Sequence, residues 1–294
     1  MKTSRKIWIG IGAFIVAGGA GSSPLPASDA HDHDAHSVEK TRTYDGISAA
    51  MRERILAHAL TVGQGGEGGE GGEGGEGGIN VEAAAKDPVE YGVALQVIAA
   101  HYYAGLAAYQ GKEQEAGAQM FAHGLSEIYV AMEDVFKTLG VTGLGAKLEA
   151  AVAAAAGKKP AAEVKRKADA VFAALAAAER KAPKSNLPVQ AVRAKIAAEL
   201  VDRAAAQYAV VQKDDNLEAY LDGLGFAIAA RNQAKPVLPY LKKVGPQKAA
   251  ALQKALALAG QAYPGIDRPK APKVSLADLQ SAASAAKLAV SSLP

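Results

Sequence analysis

The sequence predicts an all-α protein: a helical bundle of about seven to eight helices behind a disordered N-terminal tail and a Gly/Glu-rich linker. Three observations carry this. From Val81 onward the chain is rich in Ala, Leu, Lys and Glu, with apolar residues three and four apart and few β-branched clusters. Helix punctuation recurs along it: Asp87 then Pro88 and Glu90 form a start signal, and Gly140 a stop. Aromatic residues make up only 5% of a chain that is 49% hydrophobic, so alanine does much of the packing and helices must approach closely.

Residues 1–30 read as a secretory signal, because Lys2, Arg5 and Lys6 precede the apolar run "IWIGIGAFIVAGGAG". That run is short for a membrane span of about 20 residues. Small residues suit signal peptidase at Ser28-Asp29-Ala30 and again at Gly18-Gly19-Ala20. The expectation is a periplasmic or secreted protein with no integral membrane segment after cleavage. Cleavage after Ala30 removes Lys2, Arg5, Lys6 and Asp29, and lowers the formal charge from +3 to +1. A face basic enough to attract nucleic acid or anionic lipid is therefore not expected. The chain has no cysteine, so disulfides and thiolate metal ligands are excluded.

Residues 31–45 form a His/Asp-rich tail opening "HDHDAH", with His31, His33 and His36 among the chain's six histidines. With His31 as the new N-terminus, the free amine, two backbone amides and the third-position imidazole of His33 make a square-planar nitrogen set suited to Cu(II) or Ni(II). The alternative is solvated filler. An amphipathic helix is expected over 46–62, with Met51, Ile55, His58 and Val62 on one side. The GGE repeat within the segment 63–80 reads as a mobile acidic linker, since glycine at that density cannot be held in a helix without a large entropic cost.

Helices are then expected from Pro88, over 112–139, 144–156 and 161–182, completing a first helical section, 81–182, with a candidate metal site. The stretch "RKAPKSNLP" is the best internal boundary. A second section, 183–268, holds helices over 188–212, 217–233 and 246–262, and residues 269–294 hold a tail helix with a seam of small residues. Two small bundles and one continuous domain both fit this pattern.

His101 lies on the stripe of Ala94, Val97, Ile98, Gly105 and Ala108, and so faces the bundle. His123 and Glu127 are one turn apart on the next helix, and Asp134 falls on nearly the same face two turns on. If the two helices form an antiparallel hairpin across "GKEQ", His101 and His123 come level. Two imidazoles and a carboxylate leave open positions suited to Fe(II), Zn(II) or Mn(II), with Tyr102, Tyr103 or Tyr129 as partners for the outer ring nitrogens. The plain alternative is a hydrogen-bonded core histidine and an ordinary helix pair. A second cluster contains Glu199 with Arg203 and Glu218 with Asp222, flanked by Tyr208 and Tyr220. Asp215 and Glu218 read as a capping box, and Glu199 with Arg203 as a surface pair, which leaves Asp222, mid-helix beside Gly223 and Gly225, the least explained.

The segment around "EAYLDGLGF", roughly residues 199–231, resembles helical periplasmic segments attached to high-affinity iron permeases, with Tyr220 and Asp222 matching their motif by residue type. His123 and Glu127 resemble the His/Glu motif of imelysin-type cation-binding proteins, at a spacing one residue longer than His-x-x-Glu. The placement of the histidines leads to the expectation of an exported helical protein that binds a cation, iron, zinc or copper, and buffers it or passes it to a membrane transporter or other envelope protein. No permease helices follow, so transport by this chain itself is not expected. The rival expectation is an envelope-associated scaffold without metal. A phosphate loop, a GxSxG nucleophile and HExxH are all missing, so an enzyme is the weaker reading.

Overall fold

The computed structural model describes residues 78–293. The signal, the His/Asp tail, the 46–62 helix and all of the linker but its last three residues lie outside the described residues, and with them His31, His33, His36 and His58. The only regular elements among the described residues are helices, with no strand, and these residues fall within one compact unit.

The elements are α1 (Val81–Ala84), α2 (Pro88–Gln110), α3 (Gln114–His123), a π-helical segment (Gly124–Tyr129), α4 (Val130–Thr138), α5 (Leu144–Ala156) and α6 (Ala161–Glu179). After the proline-containing turn come α7 (Val189–Lys213), α8 (Leu217–Ala234), α9 (Leu238–Val244), α10 (Pro246–Ala262) and α11 (Leu276–Ser291). The short helices α1 and α9 were not among the expected elements: four and seven residues are too few for a periodic signal to show.

α2 is the axis of the bundle. Asp87 caps it, its side chain accepting from Val89 N at 2.6 Å and Glu90 N at 3.3 Å, and Pro88 takes the position where no N–H is needed. It packs against α3, α6, α7 and α8, and 17 of its 23 residues are buried. A helix apolar on every side belongs inside a core. Both sides of the proline-containing turn thus share one core, with α7 and α8 forming the most extensive helix pair. The tail helix α11 docks on α7 and α10 through Leu279, Ala282, Ala283, Ala286 and Val290.

Few aromatics are present, but five buried tyrosines each do two jobs. Their rings fill the core while their hydroxyls donate to carbonyls distant in the chain: Tyr91 to Ala178, Tyr102 to Leu148, Tyr109 to Lys159, Tyr208 to Val274 and Tyr263 to Ala204. A buried hydroxyl without a partner would be costly, so these bonds also dictate where the helices sit.

Small residues determine the crossings. A Cβ on Gly117 would lie 2.7 Å from Gly105 O and 2.8 Å from Tyr109 N, so α2 and α3 touch backbone to backbone. A Cβ on Gly225 would lie 2.3 Å from Ala100 O, so α8 crosses α2 at similarly close range, beside His101. The start of α8 corrects one expectation. Its cap is Asn216, accepting from Ala219 N at 3.0 Å, while Asp215 pairs with Arg268 at 2.8 Å. Asn216→Ala is expected to cost about 1 kcal/mol by loss of that cap, measured by denaturant unfolding, whereas Asp215→Ala should be close to neutral.

Candidate metal centre

Three α-helices and a π-helical segment bring five ionisable side chains together. α2 contributes His101, α3 contributes His123, the π-helical segment contributes Glu127, and α8 contributes Glu218 and Asp222. His101, His123 and Asp222 each offer a ligand atom within 4.8 Å of the others, a grouping from which metal ligands could be drawn. The two imidazoles meet edge to face, their ring centroids 6.0 Å apart at 81°.

His101 sits deepest, with its side chain 5% exposed. Its Nδ1 lies 2.9 Å from Val97 O, and a carbonyl can only accept, so that nitrogen carries the ring proton. Nε2 then holds a lone pair, aimed at Asp222 Oδ1 3.4 Å away and Glu127 Oε2 3.9 Å away. Burial drives the His101 pKa down to about 3, and the neighbouring His123 adds to the shift while the Val97 bond opposes it. The ring is therefore neutral near pH 7, and its approach to the two carboxylates is not an ion pair. For His101 the partner of the outer nitrogen is a carbonyl of its own helix, not one of the expected tyrosines. Tyr102 is committed to Leu148 O.

Asp222 faces this lone pair with an oxygen that is fully buried and has no hydrogen-bond partner. Burial first, and the charge of Glu218 second, push its pKa up to about 7. An ionised Asp222 thus opposes acceptor to acceptor: lone pair against carboxylate, with a second carboxylate alongside. That contact is unfavourable unless a proton or a cation lies between the groups.

Toward solvent, His123 Nδ1 lies 3.6 Å from Glu127 Oε1 and 3.6 Å from Glu218 Oε1. Glu218 is the outermost member, 49% exposed, and Gln119 Nε2 donates to its other oxygen at 3.2 Å. Exposure thus rises from His101 to Glu218, which gives the cluster a mouth at the start of α8.

The glycines explain how three helices come this close. Gly225 lets α8 cross α2 next to His101, and a Cβ on Gly124 would press on the Tyr102 ring at 3.2 Å. The π-helical segment starts directly after His123. It keeps Glu127 within reach of His123 but winds in one extra residue, rotating α4 by roughly 100° relative to a regular continuation of α3. Asp134 is carried away by this rotation. It is exposed and lines a shallow surface depression with Ala85, Val135, Thr138 and Leu139.

The second candidate cluster divides between two places. Asp222 and Glu218 join the histidines, one turn apart on the same face of α8. Tyr220 points elsewhere, its hydroxyl donating to Gly265 O at 2.7 Å, because a two-residue step turns a helix by about 200°. Arg203 reaches Gly78 O at 2.7 Å, and Glu199 pairs with Lys287 at 3.0 Å. The part that Glu218 plays beside His123 was hidden behind its place in a helix start. Its spacing of four from Asp222 was the signal available.

Among the described residues, no helix is long and apolar enough to cross a membrane. Comparisons with protein-family models, with curated proteins and with solved structures find no match for this chain, so the site has to be read from its own chemistry.

Proposed function

We propose that the protein is an exported helical-bundle protein that binds a divalent or iron cation between α2, α3 and α8, and buffers it or delivers it to a membrane transporter or other envelope protein. One observation carries the reading. The buried Nε2 lone pair of His101 faces the partnerless Oδ1 of Asp222 at 3.4 Å, acceptor against acceptor, with Glu127 Oε2 3.9 Å from the same nitrogen. A cation between His101 and Asp222 satisfies both. Two imidazoles with carboxylates and no thiolate favour Fe(II), Zn(II) or Mn(II) here, while a Cu(II) ion is better suited to His31, His33 and His36. Export rests on the basic start and the apolar run after it.

A second reading has support from the raised pKa of Asp222: a protonated carboxyl donates to His101 Nε2, and the pair is structural, within a scaffold. Metal content separates the two readings. Elemental mass spectrometry of protein isolated from the cell envelope is expected to find near-stoichiometric metal, kept when residues 31–36 are deleted and lost in His101→Ala/His123→Ala. Metal and affinity unchanged in the double variant would sink the core site. No metal in any form would favour the scaffold.

A further inference from the structure

The five side chains are not arranged around one point. Glu127 divides its carboxylate between the two imidazoles, with Oε2 toward His101 Nε2 at 3.9 Å and Oε1 toward His123 Nδ1 at 3.6 Å. On the far side, α8 gives each nitrogen one carboxylate of its own: Asp222 Oδ1 at 3.4 Å from His101, and Glu218 Oε1 at 3.6 Å from His123. Two half-sites of like composition result, each with one imidazole nitrogen, one private carboxylate and one oxygen of a shared carboxylate.

The scale fits as well. Residues four apart on a helix are separated by about 6 Å along its axis, and this matches the 6.0 Å between the two imidazole rings. Ligand atoms bound to one ion at about 2.0–2.2 Å lie roughly 3–3.5 Å from each other. The nitrogen-to-oxygen distances within each half-site are close to that, and a small contraction closes them.

We infer that the centre holds two divalent cations bridged by the Glu127 carboxylate, one between His101 and Asp222 and the other between His123 and Glu218. This rests on the cation-binding reading above and deepens it. Carboxylate-bridged pairs bring metal ions to about 3.5–4 Å of each other, and helical bundles build them from inward-facing Glu and His side chains. The ligand class is a hard or borderline divalent ion, Mn(II), Fe(II) or Zn(II), with water completing each coordination shell. The outer ion, beside half-exposed Glu218, is the exchangeable one. The inner ion is held by His101 and Asp222, which have little access to solvent.

The test uses the full chain with His31→Ala, His33→Ala and His36→Ala, so that the tail does not add to the count. Titration with Mn(II) is expected to give two bound ions per chain and the spin-coupled multiline EPR spectrum of a manganese pair. Glu218→Gln, a change at a half-exposed position that leaves the core intact, should leave one ion with the spectrum of a lone Mn(II). Glu127→Gln should abolish the coupling. Circular dichroism confirms that the variants remain helical. One uncoupled ion per chain in the parent would overturn the two-ion arrangement while leaving cation binding in place. No retained Mn(II) or Zn(II) would overturn both.

Discussion

Gly225→Ala is expected to destabilise the protein by about 3 kcal/mol and to remove its bound cation. The added methyl would lie 2.3 Å from Ala100 O and 2.8 Å from Ala100 C, both backbone atoms that no rotamer change can move. The helices α2 and α8 must therefore separate along the line where Asp222 faces His101. A shift of about 1 Å, the scale on which packed helices adjust, opens the 3.4 Å approach between Asp222 Oδ1 and His101 Nε2, and a cation can no longer be held by both. Urea unfolding and metal content, measured on the same sample, check both halves. An unchanged unfolding midpoint would mean that the two backbones do not cross this closely.

Asp222→Asn is expected to act in opposite directions with and without metal. The folded-state pKa of Asp222 is raised to about 7 from the ordinary 3.8, so the folded protein holds this proton more tightly than the unfolded chain does. The favourable contribution of the group is complete below about pH 4 and is lost as pH rises through about 7. At pH 8 the metal-free wild type carries an ionised and largely buried carboxylate whose Oδ1 has no hydrogen-bond partner, at a cost of order 2–4 kcal/mol. Asparagine removes that charge and supplies an N–H for the His101 lone pair. The metal-free variant should thus melt higher than wild type at pH 8, with the gain fading toward pH 4. Adding Zn(II) or Mn(II) should reverse the order, because only the wild type gains from binding. Equal melting temperatures at pH 8 without metal would remove the argument that Asp222 is poised for a cation.

Different parts of this site are legible to different degrees in the sequence. His101 and His123 are read as level from the helix period and the short connection between two helices, both local quantities. Asp222 stands out in the sequence as an acidic residue between packing positions, followed by Gly223 and Gly225, which no helix needs for its own sake. What it faces cannot be read there, since 121 positions separate it from His101. Asp134 shows the limit of periodicity. Regular winding puts it below His123, and a π-helical segment with no clear sequence signal turns it out to solvent. Tyr220, named beside Asp222 by its place in a motif, is directed by the helix to the Gly265 carbonyl instead.

By itself, the sequence determined the helical class, most helix ends and the lack of thiolate chemistry, because composition, capping and the 3.6-residue repeat act over a few neighbouring residues. The tertiary structure alone decided which carboxylates meet the two imidazoles. That choice depends on how closely α2, α3 and α8 cross, and the crossings are governed by glycine contacts between backbones far apart in the chain. Burial completes the distinction. An aspartate is an ordinary surface acid until packing removes its water, and only then does Asp222 require a proton or a cation from its surroundings.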